Sequence, residues 1–446
     1  MSSAGTTYPD DNSRSAALYQ RARQVLPGGT TRATVALSPY PVYAHAGSGY
    51  TLTDADGVSR IDFFNNATSL VHGHAHPDIV AAVIEQVQRG SAFANPTEAE
   101  IALAELLCGR VPGFERVRFT NSGTEAVMNA VKAARAFTGR HRIAKAEGVY
   151  HGSYDYLEVS LDPPPETWGE PLPAPVAYAG GTPPGVLADV AVLPHNDAQG
   201  AAEALAGEDA LACIVVDPMP SRCGMEPITA EFLEVLQAHC RRTGALLVFD
   251  EVITFRVGPA GMQGVLGVTP DLTALGKIIG GGFPVGAVAG RADVMAVFDA
   301  AGGKARLPHA GTYNGNPVTA VAGRKAMELL SDEAFARLND LGDYARRTLG
   351  AVFREAGVPG HVAGAGSLFL LRFDDGPADY RALYPTPELQ ARRLHLTHHF
   401  LNHGIMMNPM GLGAISTPMA QAQVDRLAEV LAEGLRAAPP LMAPQA

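Results

Sequence analysis

The chain has 446 residues, with 34 basic and 45 acidic side chains and a formal net charge of -11. Charged residues make up 18% and hydrophobic residues 47%, a balance that excludes a disordered chain. The acidic excess argues against nucleic acid or an anionic membrane as partner, and no apolar run approaches the roughly 18 residues of a membrane span. Residues 14–26 read as an amphipathic helix stopped by Pro27-Gly28-Gly29. Residues 48–63 read as a hairpin turning at Asp54-Ala55-Asp56-Gly57. Residues 78–110 read as helix interrupted near Asn95-Pro96. A strand–helix alternation follows: strand 116–120, helix 125–137, strand 142–146, strand 212–216, helix 230–242 and strand 245–249. That order predicts an α/β fold whose mostly parallel sheet is covered on both faces. Residues 161–185 are rich in Pro and Gly and are expected to form a surface loop. One long helix is expected from about residue 318, then an α+β region, with Ala437–Ala446 as a frayed tail.

Several stretches carry chemistry. Asn121-Ser122-Gly123-Thr124-Glu125 joins a strand to a helix, and Ser122 with Glu125 fits a capping box. A helix N-terminus presents unpaired N–H groups and partial positive charge, and Gly123 admits a ligand to the backbone, so this is a candidate phosphate cup. Asp250 and Glu251 end a buried strand, where side chains of a parallel sheet face the ligand crevice. Tyr150-His151-Gly152 offers an aromatic plate after a strand, and Thr312 is a second candidate phosphate donor before a helix. The P-loop and the G-x-G-x-x-G pattern are both missing, since Ile278 and Val285 occupy required positions.

Only five residues are lysine: Lys132, Lys145, Lys277, Lys304 and Lys325. Four have ordinary solvated readings, on a helix, a strand, a polar loop and a helix. Lys277 alone sits among apolar residues and glycines, in Leu275–Gly282. Burial lowers a lysine's pKa and makes the amine nucleophilic, as a Schiff-base lysine requires. Phosphate cup, aromatic, strand-end Asp and lysine together suit few ligands.

On these stretches, with Glu147–Gly152, Leu247–Val252 and Gly311–Pro317, the sequence resembles the class III aminotransferases. These are fold-type I pyridoxal phosphate enzymes. The resemblance spans about residues 25–435, and the nearest branch holds glutamate-1-semialdehyde aminomutase and the aromatic β-amino-acid aminotransferases. It implies a large cofactor domain at 66–318. Residues 1–65 and 319–446 then form a smaller α+β domain from both termini. It implies that Lys277 carries pyridoxal 5'-phosphate and shuttles a proton, and that Asp250 pairs with the pyridinium nitrogen. Tyr150 would stack on the ring beside His151. Ser122, Gly123 and Thr124 would hold the phosphate. The residue matching Thr312 reaches the phosphate of a neighbouring subunit, which implies a homodimer with shared active sites.

Arg32 occupies the place where β-amino-acid aminotransferases bind the substrate carboxylate, a task suited to a bidentate guanidinium. Asp217-Pro218 replaces the family's Glu-Pro, and Arg222 is expected to meet the cofactor's phenolic oxygen, a substrate acid or Asp217. Asn408–Gly413 lacks both the aminomutase acid and the β-phenylalanine enzymes' arginine, which predicts an apolar pocket on that side. The expected activity is ping-pong transfer of an amino group from an amine or β-amino acid, aryl or apolar, to a keto acid. Glutamate-1-semialdehyde aminomutase is the alternative, and a non-catalytic regulatory protein on the same fold is the third reading. No metal is expected. His72, His74 and His76 fall in a segment shared with that branch, and His395, His399 and His403 read as a helix face. Cys108, Cys213, Cys223 and Cys240 read as free thiols of a reducing cytoplasm. The first residues, with Asp10, Asp11 and Ser13, lack the apolar core of a secretory signal.

Overall fold

A computed structural model describes residues 7–438. Strands β1 (Ala44–Ser48), β2 (Thr51–Asp54) and β3 (Ser59–Asp62) form an antiparallel ladder. The expected hairpin is the β2–β3 pair, turning at Asp54–Gly57, where the Asp54 carboxylate accepts from the N–H groups of Asp56 and Val58 at 2.9 and 2.8 Å. The helix expected at 14–26 runs Arg14–Arg23 with Ser13 as its N-cap, and a 3-10 turn occupies Pro27–Gly29.

The central sheet has seven strands: β4 (Arg116–Thr120), β5 (Arg142–Ala146), β6 (Val190–Leu193), β7 (Leu211–Val216), β8 (Leu246–Asp250), β9 (Leu272–Gly276) and β10 (Gly286–Gly290). Their order is β4-β10-β9-β8-β7-β5-β6, and only β10 runs antiparallel to its neighbours. β7, β8, β9 and β10 are buried along their whole length, as a sheet covered on both faces requires. Helix Gly123–Thr138 packs on this sheet through Ala126, Val127, Ala130, Val131 and Ala134, all at most 1% exposed. Their small size lets the helix come close to β9 and β10.

Beyond the sheet, the single helix expected from about residue 318 is two helices, Pro317–Leu329 and Asp332–Ala356. The break comes at Ser331, whose hydroxyl accepts from the Ala334 N–H at 3.2 Å and starts a new helix. Strands β11 (His361–Ala363), β12 (Leu368–Arg372) and β14 (Leu412–Ala414) form a small antiparallel sheet. Strand β13 (Ile405–Met406) instead pairs in parallel with β3, so chain from near both termini shares one sheet. The last helix is Gln421–Ala437, and from residue 439 the expected tail lies outside the described residues.

Candidate active site

The site forms where β4, β5, β8 and β9 end. Ser122 caps helix Gly123–Thr138 by accepting from the Glu125 N–H at 3.2 Å. Only half of the expected capping box forms. The Glu125 carboxylate reaches one residue further back, to the Asn121 N–H at 2.8 Å. Three close approaches shape the cup. A Cβ on Gly286 would stand 2.0 Å from Ser122 O, one on Gly152 would stand 2.5 Å from Thr124 Oγ1, and one on Gly123 would stand 2.8 Å from Val252 Cγ1. The positive φ of Gly152, 86°, brings the Tyr150–Gly152 segment onto Thr124. Tyr150 itself is 49% exposed, which leaves a ring face free to stack.

Asp250 ends β8 and is buried. Its Oδ2 lies 2.8 Å from Nδ1 of buried His151, and its Oδ1 accepts from the Val252 N–H at 3.1 Å. Its sequence neighbour Glu251 turns away from the crevice. The Glu251 carboxylate accepts from the Met262 and Gln263 N–H groups at 2.8 and 2.7 Å and from the Thr254 hydroxyl at 2.8 Å. That assigns Glu251 to the start of helix Gly261–Leu266 and leaves Asp250 facing the crevice.

Lys277 follows β9 in a 3-10 turn, with φ 49°. Burial pulls its ammonium down to about 8, against the opposing pull of the Asp250 and Asp217 carboxylates. An amine available near neutral pH is what a Schiff-base lysine needs. Asp217 follows β7, is buried, and is pushed well above the usual carboxylate range by burial and then by the Asp250 charge. A carboxylate held by a histidine, a depressed lysine and a half-buried cup of helix N–H groups fit a phosphorylated pyridine aldehyde.

Other expected residues lie further out. Arg32 is exposed and donates to Asn66 Oδ1 at 3.0 Å. Asn66 belongs to a left-handed turn in which Asn65, Asn66, Ala67 and Thr68 all have positive φ. Thr312 sits on an exposed loop, and that loop's Asn314 accepts from Asn121 Nδ2 at 2.7 Å beside the cup. Of the partners expected for Arg222, the Asp217 carboxylate is not the one it meets. It pairs with Asp162 at 2.7 Å, because the Pro-rich loop folds back over it. Met410, in the segment expected to be apolar, is 42% exposed.

Lys145 is not solvated. It is fully buried, and its Nζ donates to the carbonyls of Ala146 and Val159, both at 2.9 Å. Those carbonyls hold the amine, and burial lowers its pKa to about 7. Of the other lysines, Lys304 is exposed, Lys132 half-buried, and Lys325 pairs with Glu328 at 2.8 Å. Arg256, which sequence reasoning passed over, is fully buried and donates to Ser367 Oγ at 3.0 Å, to Thr68 O at 2.6 Å and to Ile415 O. It ties the left-handed turn to the small sheet.

The histidine segments are held by hydrogen bonds. His72 bonds Ala326 O at 2.8 Å and Thr417 Oγ1 at 3.1 Å, and His74 bonds Asp62 at 2.8 Å. His399 and His403 bring ligand atoms within 4.8 Å of each other and of Glu433. Their rings stack at 4.0 Å, and His399 Nε2 already meets Val430 O at 3.1 Å.

Comparison with known proteins places these features in context. The family model described as aminotransferase class-III matches residues 34–435. A glutamate-1-semialdehyde 2,1-aminomutase from Methanothermobacter thermautotrophicus is 42% identical over 363 residues, covering 81% of this chain and 84% of that protein. A beta-phenylalanine transaminase from Variovorax paradoxus is 38% identical over 429 residues, covering 96% and 93%. The solved structure of an omega-transaminase from Sphaerobacter thermophilus matches with a TM-score of 0.93 and 51% identity, over 97% of this chain and 99% of that one.

Proposed function

The chain belongs to the class III aminotransferases, and we propose that it uses pyridoxal 5'-phosphate to move an amino group between an amine or β-amino acid and a keto acid. The observation that carries this reading is the half-buried Lys277, depressed to about 8 by desolvation and within the field of Asp250, whose carboxylate His151 holds. When bound, the cofactor supplies an electron sink for charge developing at the substrate carbon. Ser122, Gly123 and Thr124 hold its phosphate at the helix N-terminus. Asp250 would pair with the pyridinium nitrogen, and His151 holds the Asp250 carboxylate in place. Tyr150, whose ring is exposed, would stack on the cofactor ring. The Lys277 amine, once free, takes the proton from the substrate carbon and returns it, as a base poised near neutral pH can. Substrate enters and leaves in a ping-pong order, amine first and keto acid second.

Arg32 is the proposed carboxylate anchor, and the substrate class is an aryl or apolar β-amino acid or amine. The division of the chain at about residues 65 and 318 belongs to the same proposal. So does a homodimer in which Thr312 of one subunit reaches the phosphate of the other. Its support is an exposed apolar stripe: Val80, Ile84 and Val87 on helix Pro77–Arg89, with Phe93, Ile101 and Tyr313. Asn316 Nδ2 donates to Ser91 O at 2.8 Å and draws the Thr312 loop to that stripe. A cytoplasmic setting accords with four free cysteines, three of them buried.

The test is an amine panel on purified enzyme, following loss of the visible absorption of the Lys277-bound cofactor. β-Phenylalanine or 1-phenylethylamine should bleach it, and Lys277→Ala should never show the band. Failure of both amines overturns the substrate class. The aminomutase relative at 42% identity favours a second reading. Isomerisation of glutamate-1-semialdehyde without added keto acid would support it.

A further inference from the structure

Two buried imidazoles each have a ring nitrogen with no protein partner, and both line one small cavity behind the site. His151, beyond β5, is 2% exposed, and His195, beyond β6, is 6% exposed. The Nε2 atoms of both are buried without a hydrogen-bond partner. The cavity they line is otherwise closed by Val149, Val216, Phe232 and the carboxyl-bearing Asp217. Buried polar atoms in native proteins are nearly always satisfied, by protein or by ordered water. A buried water needs two to four polar partners, and this wall supplies three in an otherwise apolar lining.

We propose that this cavity holds one ordered water joining His195 Nε2 to His151 Nε2, which makes His195 a positioning residue for the His151–Asp250 pair. The donor order follows from chemistry. His151 Nδ1 lies 2.8 Å from the Asp250 carboxylate and donates to it, so its Nε2 is left as an acceptor. The water donates to that lone pair, and His195, here assigned the Nε2–H tautomer, donates to the water. Burial holds both imidazoles below their ordinary pKa, His195 at about 4, so both rings stay neutral. Every donor then points toward Asp250. The charged and titratable groups acting on this line are Asp250 and Lys145 on His151, and Asp250, Glu251 and Lys277 on Asp217. For His195 the single cause is burial. The edge contact of His195 with Phe232, ring centroids 6.0 Å apart, fixes the ring but leaves its Nε2 without a partner.

The inference rests on the reading of the chain as a pyridoxal phosphate enzyme, so its test separates the two. The first measurement is a high-resolution crystal structure of the holoenzyme. One solvent peak within hydrogen-bond distance of both Nε2 atoms is expected, and a dry cavity overturns the proposal. The second is the pH titration of the visible band in wild type, His195→Phe and His195→Gln. Phe keeps the ring contact but loses the donor. Asp250 is then held less firmly, the ring nitrogen it serves is less firmly protonated, and the Lys277-linked nitrogen keeps its proton longer. The His195→Phe midpoint should move up by roughly half a unit or more, the weight of one buried hydrogen bond. Gln places a donor near the position of Nε2 and should restore the wild-type midpoint. A His195→Phe enzyme that titrates like wild type, or a Gln variant that behaves like Phe, overturns the relay. Absence of the band from wild type overturns the functional reading instead, while the solvent peak still decides the water.

Discussion

Arg381 and Glu147, 234 residues apart, form a two-pronged ion pair at 2.7 and 3.2 Å. Glu147 is buried and stands three residues before Tyr150, whereas Arg381 lies in the segment that leads to helix Pro387–Asn402. Tyr380 packs against Gly148, where a Cβ would come within 2.3 Å of its ring, and donates to Asp162 at 2.8 Å. Arg381 also lies over the Trp168 ring at 5.3 Å. The late segment is thereby clamped onto the stretch that leads from β5 to Tyr150 and His151. Arg381→Ala leaves the Glu147 carboxylate buried without its guanidinium. Breaking a fully buried pair costs roughly 3–5 kcal/mol, and the part-exposed arginine lowers that to about 2. The expected result is a fall in thermal midpoint with weaker amine turnover, and partial recovery in Arg381→Lys. Unchanged stability and kinetics would show that the clamp is ornamental.

The adjacent carboxylates Asp250 and Glu251 should separate cleanly in mutation. Asp250→Asn keeps the shape and the Val252 contact but removes the charge that serves the cofactor ring. We expect a fold of near wild-type stability with cofactor loosened and turnover down by about two orders of magnitude or more. Glu251→Ala removes the acceptor for two backbone N–H groups, a hydroxyl and the Gln263 side chain, all buried. Its expected signature is a stability loss of about 2–4 kcal/mol by denaturant, with the cofactor band retained in the folded fraction. If Glu251→Ala lost the band while staying as stable as wild type, the assignment of the two acids would have to be exchanged.

Residue type and spacing made the α/β frame legible, because buried strands such as Leu211–Val216 are continuous apolar runs. Strand Gly286–Gly290 was not legible. It is built of Gly, Ala and Val so that helix Gly123–Thr138 and the Ser122 carbonyl can come close, and small residues give no strand signal. Lys277 and Asp250 stood out because their local company is unusual for a charge. Lys145 did not, since its partners are the carbonyls of Ala146 and of distant Val159. Arg256 and Arg381 escaped for the same reason: their partners lie up to 188 and 234 residues away, and no local pattern announces such a contact. Of the alternatives for Arg222, Asp217 was the protein acid because it is nearer in sequence than Asp162, which the Pro-rich loop brings into place.

Two buried histidines predict how the protein responds to acid. Burial pushes His72 and His195 each down to about 4, against about 6.5 in an unfolded chain. Below pH 6.5 the unfolded chain takes up these protons while the folded one refuses them. A folded pKa beneath the unfolded value gives stability that is present at neutral pH and lost as pH falls from 6.5 toward 4. At pH 5 each group should cost roughly 2 kcal/mol relative to pH 7. The thermal midpoint should therefore hold between pH 7 and 8 and drop steeply between pH 6 and 5. His72 is the cleaner of the two to test, because its ring nitrogens bond Ala326 O and Thr417 Oγ1, neither of them a residue proposed to hold the cofactor. His72→Gln keeps a donor and removes the titration, so it should be somewhat less stable than wild type at pH 7 and should lose less on going to pH 5. Parallel midpoint curves for wild type and His72→Gln across pH 5 to 7 would show that His72 is protonated in the folded protein at little cost.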